Sequence, residues 1–292
     1  MIEYKKLFYG AIRMSTLEQM SSIKVQDIKL SLSEAGKGEP ILCLHGNPGT
    51  KSNFSKMMSM LDKTNIKLVA TDRFGHNLTD ELQSENDNLW HDTDFYAELI
   101  NAKLSKKAWV LGHDYGCLTA IKLAIKQPDK VKGLILINPY IIPEAPDDGL
   151  SSLPKLSKNF LIGSIMGVFL PYDYEKIFAE RLTKTFSPET PSEDYIDSII
   201  QRIARFESVI AFFNDNNIRI KIEDELKEEM KKITLPTFAL FGAKDALTSV
   251  EKQKEAVSLI SDAKIEVSET SGHFMPYTNP DLCIDFIKKA IA

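Results

Sequence analysis

The chain has 292 residues, enough for one large α/β domain or for a core carrying a smaller domain. It is 43% hydrophobic and 26% charged with a net charge of −5, an ordinary globular balance that gives no reason to expect nucleic acid as a partner. Its three cysteines, Cys43, Cys117 and Cys283, lie far apart without CxxC or zinc spacing; they read as buried thiols, and no metal or other cofactor is expected.

In chain order, the opening MIEYKKLFYGAIRM lacks an apolar core of signal-peptide length. The most apolar stretch, Phe160 to Leu170, is about half of the ~20 residues that span a bilayer. The expectation is a cytoplasmic protein without membrane contact. Ile23 to Leu32 alternates apolar and polar residues and reads as one half-exposed strand. Six short apolar runs follow: Ile41 to Leu44, Lys67 to Thr71, Ala108 to Leu111, Val131 to Ile137, Thr237 to Phe241 and Lys264 to Val267. Amphipathic helices are expected near Phe54 to Leu61, Asp92 to Leu104, Tyr115 to Lys126, Val250 to Ile260 and Asp281 to Ala290, the last capped by Asn279. Buried runs alternating with helices imply an α/β protein with a mostly parallel sheet covered on both faces.

Between Tyr140 and Ile233 the alternation stops. Helical patterns take over at Asn159 to Leu170, Tyr174 to Thr183, Ser192 to Asn214 and Ile222 to Lys232. The expected division is a first core part over 1–139, a helical cap over 140–232 and a second core part over 233–292. Phe160, Ile165, Phe169, Phe212 and Phe213 give the cap an apolar face suited to a lid, or equally to plain core packing.

Chemistry-bearing residues should lie in loops at the carboxyl ends of the strands. Gly112-His113-Asp114-Tyr115-Gly116 follows such a strand and opens a helix, the setting of a nucleophile elbow, with an aspartate where G-x-S-x-G has serine. Asp245 follows a later strand and His273 the last one, so nucleophile, acid and His occur in that chain order. Asp245 could instead cap the helix after it. The backbone N–H groups of Asn47, in His45-Gly46-Asn47-Pro48, and of Tyr115 would form an oxyanion hole. His45 and His113 read as scaffolding.

Over nearly its whole length the chain resembles the α/β-hydrolase fold family, with LCLHGNPG, TDRFGH, VLGHDYG, FGAKDAL and SGHF in the family's order. HGNP together with an aspartate elbow is similar to the branch of epoxide hydrolases and haloalkane dehalogenases. In that branch the acid follows either of two strands. Asn138 at the earlier place cannot serve, which leaves Asp245, with Glu144 in reserve. The resemblance implies that Asp114 attacks a saturated carbon to give an ester, and that water activated by His273 then hydrolyses the ester. The implied partners are a small apolar substrate and water.

The leaving group separates the two chemistries. Dehalogenase relatives hold a halide with a tryptophan directly after the nucleophile; this chain has Tyr115 there, although Asn47 matches a halide-contacting residue of one subgroup. Epoxide relatives supply two cap tyrosines. Where one often stands, this chain reads Ala211-Phe212-Phe213-Asn214, leaving Tyr140, Tyr172, Tyr174 and Tyr195 as candidates. The balance tilts to an epoxide, with a halide as alternative. Further alternatives are an esterase-like or carbon–carbon-cleaving hydrolase and a non-catalytic protein of the same fold.

Overall fold

A computed structural model describes residues 19–25, 28–62, 64–77, 79, 90, 92–143, 178–191, 195, 196, 199, 200, 203 and 205–292. Eight strands form one sheet in the order β1-β2-β4-β3-β5-β6-β7-β8. They are β1 Gln19–Val25, β2 Ile28–Gly36, β3 Glu39–Leu44, β4 Ile66–Thr71, β5 Ala108–Asp114, β6 Val131–Pro139, β7 Thr237–Gly242 and β8 Lys264–Ser268. β2 runs antiparallel to β1 and β4, and every pairing from β4 across to β8 is parallel. The parallel strands are the apolar runs of the sequence, and most of their residues are buried because helices cover both sheet faces.

The single strand expected over Ile23 to Leu32 is two, with Val25 paired to Ile28. Gln26 and Asp27 are two polar residues in succession and shift the apolar positions from 23 and 25 to 28, 30 and 32, a break in the period of two that falls at the reversal.

The described helices are α1 Ser55–Met58, α2 Asp92–Leu99, α3 Tyr115–Lys126, α4 Phe206–Met230, α5 Val250–Val257, α6 Met275–Thr278 and α7 Pro280–Ile291, with residues 178–186 also helical. Asn279 stands at the cap position of α7, but its side chain takes the Thr278 hydroxyl and makes no capping bond. One core layer gathers Leu118, Ile121 and Leu226 against Val110 and Leu136. The opposite layer gathers Met57, Ile284 and Ile287 against Leu111 and Ile135. A third cluster, Phe178, Leu182, Ile199, Ile203, Val209 and Phe213, lies within the stretch read as a cap.

Two helices were expected to end at Asn214 and begin at Ile222; α4 runs unbroken through both. The polar residues between them look like a turn but are committed to contacts. Asp215 pairs with Arg73 and His76, and the Arg219 guanidinium lies 3.8 Å from the Tyr140 ring centre. α4 starts at Arg205, whose extended backbone (φ −72°, ψ 149°) ends the helical pattern expected from Ser192. The Asn159 to Leu170 pattern falls outside the described residues.

Candidate active site

Asp114 closes β5 and caps α3 with φ 53° and ψ −124°, a strained conformation for a residue with a side chain. The turn fits only because glycines flank it. A Cβ on Gly112 would press on the Cys117 backbone, and one on Gly116 would strike the Leu44 carbonyl. The turn lifts a carboxylate that is 4% exposed to the carboxyl edge of the sheet.

Its two oxygens differ. Oδ2 accepts the Asn47 backbone N–H at 2.7 Å. Oδ1 is buried, has no hydrogen-bond partner among the described residues and lies 3.8 Å from His273 Nε2. The other His273 nitrogen, Nδ1, donates to Asp245 Oδ2 at 2.7 Å. Burial alone would lower the His273 pKa, but the Asp245 and Asp114 carboxylates outweigh it and raise the value above the ordinary one. Burial pushes Asp245 up, and His273 with the Leu247 and Thr248 amides pulls it down to about 2. Asp245 also takes the Thr248 hydroxyl, while the N-cap of α5 is Ser249.

The surroundings fix these groups. Asn138 Nδ2 donates to the Gly272 and His273 carbonyls at 2.8 and 2.7 Å, and its Oδ1 takes the Gly242 N–H. The residue that could not be the acid thus holds the histidine loop against β7. Nothing in its sequence position signalled that task. His113 Nε2 donates to the His273 carbonyl at 3.0 Å. His45 donates through Nδ1 to the Gly46 carbonyl and accepts the Arg73 N–H at Nε2, shaping the loop that carries Asn47. Among the described residues no group of three or more His, Cys, Asp or Glu is placed to hold a metal ion.

A narrow cavity of about 20 Å³ is lined by Asn47, Asp114 and His273 together with Arg181, Tyr195 and Ile199. The Tyr115 ring does not line it. That ring packs 4.5 Å from the Arg73 guanidinium, leaving only the Tyr115 backbone, at the start of α3, next to Asp114. Asn47 Nδ2 is engaged by the Phe212 carbonyl at 3.1 Å. Tyr140 is not in the cavity wall, being held against Arg219. Tyr172, Tyr174 and Glu144, with Phe160, Ile165 and Phe169, lie outside the described residues. Phe212 and Phe213 pack edge-to-face on each other, and Phe213 belongs to the third apolar cluster. Arg181 was missed, because among 36 lysines and arginines no spacing sets it apart.

A mostly parallel sheet with a side chain raised on the turn after a central strand, and a histidine on the loop after the last one, defines an α/β-fold hydrolase. A model of the alpha/beta hydrolase fold matches residues 39–280, and the chain belongs to that family. It is 22% identical to the 2-hydroxy-6-oxo-6-phenylhexa-2,4-dienoate hydrolase of Comamonas testosteroni, over 94% of this chain and 96% of that protein. Among solved structures, a thermophilic esterase from Thermogutta terrifontis superposes with a TM-score of 0.72 at 21% identity, covering 94% of this chain and 98% of its own. The epoxide hydrolase CorEH superposes at 0.74 and 18% identity, with the same coverage. At these identities the likeness to the solved structures carries the fold alone.

Proposed function

We propose that the protein hydrolyses a small epoxide through a covalent ester on Asp114. The observation that carries this reading is the pair of unlike carboxylate oxygens. Oδ1 is buried and has no hydrogen-bond partner among the described residues, the condition in which a carboxylate attacks a saturated carbon. Oδ2 sits on a backbone donor, where negative charge develops when that ester is later attacked.

In the first step Oδ1 bonds to an epoxide carbon and the carbon–oxygen bond of the ring breaks. The ring oxygen takes a proton from an acid in the cavity wall, for which Tyr195 is the described candidate. In the second, His273 removes a proton from water, which attacks Cγ of Asp114. The oxyanion forms on Oδ2 against the Asn47 N–H, with the Tyr115 N–H as the other donor. Collapse releases a diol and restores the carboxylate, and the proton on His273 returns through solvent to the tyrosine. Asp245 keeps His273 oriented and stabilises its charged form.

The side-chain geometry favours an epoxide over a halide. The halide contacts of the dehalogenase relatives are not reproduced: a tyrosine whose ring packs on Arg73 follows Asp114, and the Asn47 side-chain amide donates to the Phe212 carbonyl. The division into core and cap belongs to the same proposal, the stretch over 140–232 supplying the wall that faces Asp114.

A single turnover in water labelled with heavy oxygen tests the route. Label found in the Asp114 peptide by mass spectrometry is the expected result. Label only in the product, with Asp114 unlabelled, overturns it.

A further inference from the structure

We propose that the substrate carries a carboxylate beside its reacting carbon and that Arg181 binds it; this rests on the epoxide reading above. The cavity is not a plain apolar slot. Arg181, on the 178–186 helix, faces the same space as Asp114 and His273 and is half-buried. A guanidinium has five N–H donors. The hydrogen bond that Arg181 makes to a described residue is a long one, 3.3 Å from Nη2 to the Asn47 carbonyl, and its carbon lies 5.9 Å from the Phe212 ring centre. Among the described residues no carboxylate forms an ion pair with it. Three more deeply buried cations are matched by carboxylates, Lys51 by Asp72, Arg73 by Asp215 and Lys122 by Asp92, while buried Arg219 rests on the Tyr140 ring and lines no part of the cavity.

A half-buried guanidinium that lines a cavity and has no acid beside it among the described residues can take an anion from solution. Its place in the cavity decides which anion. It lines the same cavity as Asp114, so an anionic substrate that would be repelled by the Asp114 carboxylate finds an opposite charge in the same space. The planar fork suits a carboxylate, which it can take in two parallel hydrogen bonds. Leu182, Ile199, Leu247 and Phe274 line the remaining wall and leave room for a short apolar portion. The carboxylate is unchanged by the reaction, so the product is a dihydroxy acid. Arg181 thereby replaces the small apolar substrate expected from the sequence with a small anionic one.

The test separates binding from turnover. Cyclopropanecarboxylate copies the shape of oxirane-2-carboxylate but cannot be opened, and cyclopropanecarboxamide is its neutral partner. By calorimetry on the full chain, the carboxylate is expected to bind about tenfold more tightly than the amide or better, as a charge-assisted pair provides. Arg181→Gln should abolish that preference, and Arg181→Lys should keep part of it. In turnover, the preference of kcat/KM for oxirane-2-carboxylate over oxirane-2-carboxamide should fall about 100-fold in Arg181→Gln, mostly through KM. Equal binding of the two cyclopropanes to the wild-type chain overturns the inference even if the variant does not fold. So does a loss in the variant that is the same for both epoxides and lies in kcat, which would make Arg181 a leaving-group partner. An Arg181-dependent carboxylate preference in binding, with neither epoxide opened, would uphold the anion site and overturn the epoxide reading instead.

Discussion

Asp114 meets two environments at once, and His273 touches only one of them. In the proposed route, ester formation at Oδ1 needs no base, whereas ester hydrolysis needs His273 neutral. Replacing His273 by Gln should therefore leave the first step and slow the second by about 10²- to 10⁴-fold, so that intact-mass spectrometry shows the chain plus one substrate. The wild-type chain should behave similarly in acid. The pKa of His273 is raised above the ordinary 6.5, chiefly by Asp245 against the pull of burial. Hydrolysis should thus fail as pH drops through that raised value while ester formation continues, and rapid-quench sampling below pH 6.5 should catch accumulated ester. Rapid turnover by His273→Gln, or no build-up in acid, would count against its part as the base.

A buried ion pair ties α4 to the loop that follows β4. Arg73 Nη2 meets Asp215 Oδ2 at 2.6 Å, and His76 Nε2 donates to the same oxygen at 3.1 Å. Burial raises the Asp215 pKa, but Arg73 and His76 bring it down to about 2. Asp215→Asn keeps the shape and strands the Arg73 charge, so it should destabilise the chain by about 3 kcal/mol or more in urea unfolding. Arg73 also donates to the His45 and Gly46 carbonyls, so the same variant should loosen the Asn47 loop and lower kcat. The elements show where sequence suffices. The central parallel strands were legible because burial on both faces leaves uninterrupted apolar runs, and the Asp114 and Asp245 positions because each follows such a run; His273 follows the edge strand β8, which is short and has no buried residue, and was legible from its place in the chain order. The middle of α4 was not, since Asp215 and Arg219 read as solvated until their partners, far along the chain, are seen. Arg181 was illegible for the same reason, its meaning lying in what shares the cavity with it.

Buried histidines set the acid limit of the whole molecule. Burial lowers the pKa of His45, His76 and His113, with the Arg73 charge adding to it at the first two; His113 falls to about 4. Below 6.5 the unfolded chain takes up protons that the folded chain refuses, so stability declines as pH falls from there toward 4. His113 alone accounts for roughly 3 kcal/mol of that loss. His273 works the other way: its contribution is complete below 6.5 and is lost as pH rises through its raised value. Asp215 and Asp245 contribute fully above 3.8 and lose that contribution as pH falls from there through about 2, so they add nothing to the change between neutrality and pH 4. Urea midpoints should therefore fall steadily between neutrality and pH 4, and a flat profile would contradict the neutral state of the three. α4, finally, limits how such a molecule can diversify. Val209 and Phe213 pack in the third cluster while Ile222, Leu226 and Met230 pack on the sheet, all on one uninterrupted helix. Deleting a single residue between them would swing one set about 100° around the axis relative to the other. Variation in this segment is thus confined to exchanges of side chain at constant length, and inserted or lost residues must fall in the loops outside it.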